Sequence, residues 1–219
     1  MDFQLIAESM PYLLEGARLT LIITAVSLLA GIIIGTLVAL ARLSGIAPLR
    51  WLATAYIELI RGTPLLVQIF LIYFGLPQIT GINMEPLPAG LLAFSLNSGA
   101  YVAEIMRSGI QGVPRGQTEA SLSLGFSPRD TMRYIVLPQA FRRVLPPLVN
   151  EALNLLKNTS LLSAIALVEL TRAGQIVAAR TYKPFEMYLA ISIVYLAMTL
   201  VLSFVSNRIE QRWGEGDKR

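Results

Sequence analysis

The run from Leu19 to Ala41 carries no charged residue, and nothing else in the chain restricts its fold so strongly. As a helix it extends about 35 Å at roughly 1.5 Å per residue, enough to cross the hydrocarbon of a bilayer. Composition agrees, since 54% hydrophobic and 15% charged residues with a mean hydropathy of +0.60 are far from a soluble domain of 219 residues. The same test predicts further spans at 53–76, 89–108, 147–167 and 188–207. The second of these carries Glu58 and Arg61, and the fourth carries Glu151 and Lys157. The expected class is therefore all-α and polytopic, with five transmembrane helices. With no 20- to 50-residue repeat and no low-complexity linker, residues 1–219 read as one membrane domain.

Orientation follows from the basic residues. Arg42 and Arg50 follow the first span, six arginines between Arg107 and Arg143 follow the third, and Arg208, Arg212, Lys218 and Arg219 form the tail. Those twelve fall on one side, against Arg18, Arg172, Arg180 and Lys183 on the other, with Arg61 and Lys157 inside spans. The positive-inside rule places the N-terminus outside and the loop at about 109–145 and the tail in the cytoplasm. Asp2, Glu8 and Glu15 make the first 18 residues acidic, unlike a cleavable signal, and they are expected to lie as a short amphipathic segment on the outer face.

Several chemistries fall away. The chain has no cysteine for disulfide or redox work and no histidine, so a zinc or di-iron centre would rest on carboxylates alone. Its arginines sort by membrane side rather than along one helix face interleaved with aromatics, which argues against nucleic acid. The three lysines follow Leu156, Tyr182 and Asp217, so no Gly-Lys-Ser/Thr phosphate loop exists. Lys157 and Ser160, three apart, could form a Ser–Lys dyad. A lysine paired with a carboxylate and a serine packed against a neighbouring helix is the simpler reading.

Charges within the spans are the chemically informative residues, because burying one at mid-bilayer costs about 2.5–3.5 kcal/mol or more. Glu58 and Arg61 can pair with each other or face an aqueous path. Gly62-Thr63-Pro64 follows directly, and proline should kink or open the helix there, which is tolerated at membrane depth where backbone lines a cavity or is buried in protein. On the third span Asn97, Tyr101 and Glu104 form a polar stripe at i, i+4 and i+7. The fourth offers Asn150, Asn154 and Lys157 at the same spacing, then Asn158-Thr159-Ser160. These stripes suit a small zwitterion, its carboxylate near Arg61 or Lys157 and its ammonium near Glu58, Glu104 or Glu151. The alternative is a set of interhelical hydrogen bonds that hold the bundle.

Residues 107–146 read as a folded docking element rather than a tether. Gly125 is placed to close one short helix in the left-handed conformation, and Ser127-Pro128 with Asp130 supplies the N-cap, first-turn proline and acidic third position of the next. An ordered corner between spans suggests that another protein binds there.

Glu119-Ala120-Ser121, then Gly125, then Leu137-Pro138 resembles the Glu-Ala-Ala loop of ABC importer permeases. Glu58 to Leu65, Asn97 to Glu104, Leu137 to Ala140 and Leu156 to Leu161 further resemble the permeases for polar amino acids, and the likeness runs from about Leu13 to Arg212. It implies coupling helices built on the corner residues and seated on two ABC ATPase subunits. ATP and magnesium would reside on those subunits, with no cofactor in this chain. It also implies a second permease, either another copy or a paralogue, and an extracytoplasmic amino-acid-binding protein, in a bacterial inner membrane. The substrate is expected near Asn97, Tyr101 and the turn Lys157, Asn158, Thr159 and Ser160, with Glu58, Arg61, Thr63 and Glu104 as further lining candidates. Two departures stand out: Ser121 replaces the third residue of the triplet, and Asn158 stands where several relatives carry aspartate. The latter weakens the case for a cationic substrate, and Ser9 to Leu14 with Leu76-Pro77-Gln78 leans towards cystine or another neutral polar amino acid. A secondary transporter or channel for a small zwitterion is the alternative, but neither an inverted repeat nor a charged ring is visible.

Overall fold

The computed structural model describes the backbone of residues 2–214 and the side chains of residues 2–204 and of Arg208. Among the described residues there is no strand. The first helix, α1 (Phe3–Leu43), runs 41 residues without a break, about 60 Å at 1.5 Å per residue. The amphipathic segment expected on the outer face is thus part of the same helix as the first span. The reason is tertiary: Leu13 and Ala17 are buried against Leu170, Ala173, Ala190 and Ile191 from the end of the chain. Asp2 caps the helix by accepting from the Leu5 N–H at 3.1 Å and is ion-paired with Lys183. That contact holds the Asp2 carboxyl below its ordinary value and raises the Lys183 ammonium.

Small residues recur every four positions on the buried face of α1, at Ser27, Gly31, Gly35 and Ala39. They let it approach α5 (Pro86–Gln111) closely. A Cβ on Gly31 would stand 2.6 Å from Ser98 Oγ, and one on Gly35 2.6 Å from Val102 Cβ. The opposite face, with Leu29, Ile33 and Leu37 at 63 to 64% exposure, is the apolar surface a membrane helix turns outward.

Between them, α2 (Ala47–Arg61) stops at Gly62-Thr63-Pro64, since proline removes an N–H and clashes with the preceding turn. The chain resumes as α3 (Leu65–Phe70), a π-helical turn (Leu71–Gly75) and α4 (Leu76–Thr80), bent by 105° from α2. The expected span at 53–76 is therefore not one straight helix. The core closes where Ile23 of α1, Ile69 of α3 and Phe94 of α5 meet Leu155, Leu162 and Ile165 from the fourth segment.

The docking corner comprises α6 (Arg115–Ser123), the single turn α7 (Pro128–Asp130) and a π-helical turn (Thr131–Val136), which leads directly into α8 (Leu137–Asn158). The second short helix is thus the start of a long one. A 3₁₀ stretch (Thr159–Ile165) continues α8, then α9 (Leu170–Thr181) follows, bent by 48° from the segment Pro128–Ile165, and α10 (Pro184–Gly214) ends the described chain.

By length and apolarity, α1 and the Pro184–Phe204 part of α10 can each cross a membrane among the described residues, and four crossings result if each bent pair counts as one. α5 is long enough, but its polar residues dilute its apolarity. Lys218, Arg219 and the side chain of Arg212, counted above in the basic tail, lie outside the described residues.

Candidate functional site

The break after α2 is held by a residue the sequence reading passed over. Gln68, buried on α3, donates to the Ile60 carbonyl at 2.7 Å, the Thr63 carbonyl at 3.1 Å and Thr63 Oγ1 at 2.9 Å. Its own carbonyl accepts from Asn97 Nδ2 at 3.0 Å. One amide thus satisfies the backbone that the proline break leaves open and ties it to α5. Asn97 is 6% exposed in consequence. The expected polar lining at Asn97 is, in this chain alone, an interhelical brace, and Thr63 belongs to the same cluster. Nearby, the Tyr56 hydroxyl donates to the Leu96 carbonyl at 2.5 Å, a second tie between α2 and α5.

Glu58 and Arg61 do not pair. Both are exposed, and the Arg61 guanidinium lies 5.3 Å from the centroid of the Tyr101 ring, within cation–π range. Glu104 is not a free carboxylate either: Arg42 of α1 reaches it at 2.6 Å, and Arg107 one turn on also ion-pairs with it. Arg61, Tyr101 and Glu104 come together on one cavity of about 440 Å³, completed by Ile105, Ser108 and Gly109 of α5, by Gly112 at its C-cap and by Arg143 and Pro147 of α8. Arg143 was not among the expected site residues.

Lys157, the last charge of α8, is exposed, as are Asn150, Asn154 and Asn158. The stripe at 150, 154 and 157 extends back through Pro147 to Arg143 at the same helical spacing, so the polar face of α8 and the cavity share one side. Glu151 points elsewhere, 7% exposed and facing Ser98, whose hydroxyl makes no hydrogen bond of ordinary geometry. After Asn158 the helix tightens to 3₁₀, where Ser160 Oγ donates to the Lys157 carbonyl at 2.8 Å. Thr159 is buried, donates to the Leu156 carbonyl at 2.8 Å and lies 3.3 Å from the Tyr195 hydroxyl.

Tyr195 of α10 in turn donates to the buried Glu169 at 2.9 Å. Glu169 caps α9 by accepting from the N–H groups of Thr171 and Arg172, each at 2.9 Å. Lys157 and Asn158 thus stand open on α8, whereas Thr159 is fixed from behind by α10. The cavity does not reach this turn.

At the corner, Gly125 has φ +86°. Its N–H donates to the Leu122 carbonyl at 3.0 Å and that of Phe126 to the Ser121 carbonyl at 3.1 Å, the paired closure of a Schellman C-cap. Ser127 caps the next turn, accepting from the Asp130 N–H at 3.1 Å and donating its hydroxyl to Asp130 Oδ2 at 2.6 Å. Ser121, buried at 4% exposure, donates to the Thr131 hydroxyl at 2.8 Å and so clasps α6 to the turn that starts α8. Glu119, Ala120, Leu137 and Pro138 stay exposed around this clasp.

The family profile described as binding-protein-dependent transport system inner membrane component matches residues 9–215. The glutamine transport system permease protein GlnP of Escherichia coli K12 is 42% identical over 212 residues, which is 96% of this chain and 97% of that protein. The L-cystine transport system permease protein TcyB of Bacillus subtilis 168 is 41% identical over 203 residues, covering 92% of this chain and 86% of its own length. Among solved structures, an amino acid ABC transporter crystallised with histidines matches with a TM-score of 0.94 at 42% identity, over 97% of this chain and 99% of that one.

Proposed function

Because this chain belongs to the family of binding-protein-dependent transport system inner membrane components, we propose that it is the translocation subunit through which an ATP-driven importer moves a polar amino acid into the cytoplasm. Members of the family are multi-pass inner-membrane subunits that work with a partner permease, and ATP is hydrolysed by a separate ATPase subunit. The reading adds five crossings with the N-terminus outside, two ATPases carrying ATP and magnesium, and an extracytoplasmic binding protein that delivers the substrate.

The corner carries this reading. Leu122, Leu124 and Phe126 are exposed on it at 43, 80 and 41%, although the turn beneath them is closed by the Schellman bonds at Gly125 and the clasp from Ser121 to Thr131. A rigid, partly apolar knob at the end of two long helices suits transmission of force from a docked ATPase. The polar face of α8, exposed in the single chain at membrane depth, calls for water or a second permease opposite it, because lipid would leave those groups unsatisfied. The relatives named for glutamine and cystine support a neutral polar substrate.

Co-purification with the ATPase, comparing wild type with Gly125→Val, tests the reading. No neighbouring heavy atom lies within 4 Å of a Cβ at Gly125, so the cost is conformational, about 1–2 kcal/mol or more for a β-branched residue at positive φ. Loss of ATPase capture and of uptake at unchanged membrane abundance is expected. Normal capture and uptake by the variant would remove the corner from the mechanism.

A further inference from the structure

Among the described residues, two guanidiniums on the cavity beside α5 form no ion pair with a carboxylate, Arg61 from the end of α2 and Arg143 from α8. Arg61 rests against the Tyr101 ring. Arg143 is exposed and lines the cavity beside Gly112. The one acid in the wall, Glu104, is ion-paired with Arg42 and Arg107 and also feels the charge of Arg61 beyond ion-pair distance. Two arginines against one acid this cavity hosts, shared with two more arginines beside it, leave the wall net positive. At about 440 Å³ the space falls in the range of small-molecule sites.

Its place in the fold gives it a role. The wall is built from the last turns of α5 and the second and third turns of α8, on either side of the corner, with Arg61 added from the end of α2. The exposed face of α8 runs from Arg143 through Asn150 and Asn154 to Lys157, so a polar track leads from the Lys157 turn to the cavity. A guanidinium recognises a carboxylate through fork-shaped donors and repels a second cation.

We infer that this cavity is a vestibule on the corner side of the membrane in which Arg143 and Arg61 bind the carboxylate of the amino acid, and that it favours neutral and acidic amino acids over cationic ones. The inference rests on the importer reading and narrows its substrate class.

An anionic lipid headgroup offers the same charge, so the test separates the two. The nucleotide-free complex of permease and ATPase is placed in phosphatidylcholine nanodiscs without binding protein, and binding of radiolabelled L-glutamine, L-glutamate and L-arginine is measured. Glutamine and glutamate are expected to bind at least tenfold more tightly than arginine. Arg143→Gln and Arg61→Gln should each weaken them by about tenfold, and Arg143→Lys should recover part of the loss. Wild-type affinity in both glutamine variants, or arginine binding as tightly as glutamate, would overturn the vestibule. So would displacement of both amino acids by dioctanoyl phosphatidylglycerol, which would assign the site to lipid. Uptake with binding protein in the same preparation is read separately: transport that persists while the vestibule fails leaves the importer reading standing, whereas no uptake of any amino acid removes that reading too.

Discussion

Asn97 Nδ2 donates to Gln68 Oε1 at 3.0 Å, and through that bond the proline break after α2 is fastened to α5. The same Gln68 amide carries the Ile60 and Thr63 carbonyls, so one side chain closes the opened backbone and sets where α3 departs. The break is thereby a rigid elbow rather than a loose hinge.

Replacing Gln68 with leucine should therefore cost more than its size suggests. The Asn97 amide and two carbonyls would be left buried or under-satisfied, at about 1–3 kcal/mol for the group that cannot find water. A lower thermal midpoint of the purified complex is expected, with uptake falling in parallel. A midpoint equal to wild type would mean that the elbow holds itself.

The clasp at the corner separates a hydrogen bond from its desolvation. Ser121→Ala strands the Thr131 hydroxyl, which is 2% exposed, and should destabilise by about 1–3 kcal/mol. Ser121→Ala with Thr131→Val removes both partners and should recover most of the loss. Additive losses in the double variant would show that the two hydroxyls act independently.

The corner was readable because its signals are local. Gly125, Ser127, Pro128 and Asp130 specify a C-cap and an N-cap from neighbouring residues alone, and all four take the expected roles. The partners of the polar stripe on α5 were hidden for the opposite reason. The partner of Asn97 lies 29 residues earlier, and Arg42, which neutralises Glu104, lies 62 residues earlier. No helical spacing reveals such contacts. The continuity of α1 was hidden likewise, since its first turns are held by α9 and α10. Arg143 could have been found by extending the stripe of Asn150 and Asn154 one more heptad towards the corner.

Lys157 is exposed, and Glu151, the nearest acid in sequence, is turned away into the bundle. A lysine that braced a buried carboxylate would leave it unpaired on removal and destabilise the protein. Lys157→Met is instead expected to preserve the yield of the complex and to reduce uptake. Joint loss of yield and uptake would return Lys157 to a structural role.

Orientation rests on the division of basic residues between the two sides. A cysteine at Gly81, which ends α4 at φ +73°, should react with an impermeant thiol reagent from outside intact cells, and one at Ser127 should not. The reverse labelling would invert the topology and take the corner away from any cytoplasmic ATPase.

The central claim is that this chain carries a polar amino acid inward only when a partner hydrolyses ATP. The direct measurement reconstitutes the permease with its ATPase in proteoliposomes holding ATP and magnesium inside, with the binding protein and radiolabelled L-glutamine or L-cystine outside. Uptake that requires enclosed ATP and the binding protein, and that is indifferent to proton and sodium gradients, is the predicted result. Uptake driven by either gradient without ATP would contradict the account and make the chain a secondary transporter.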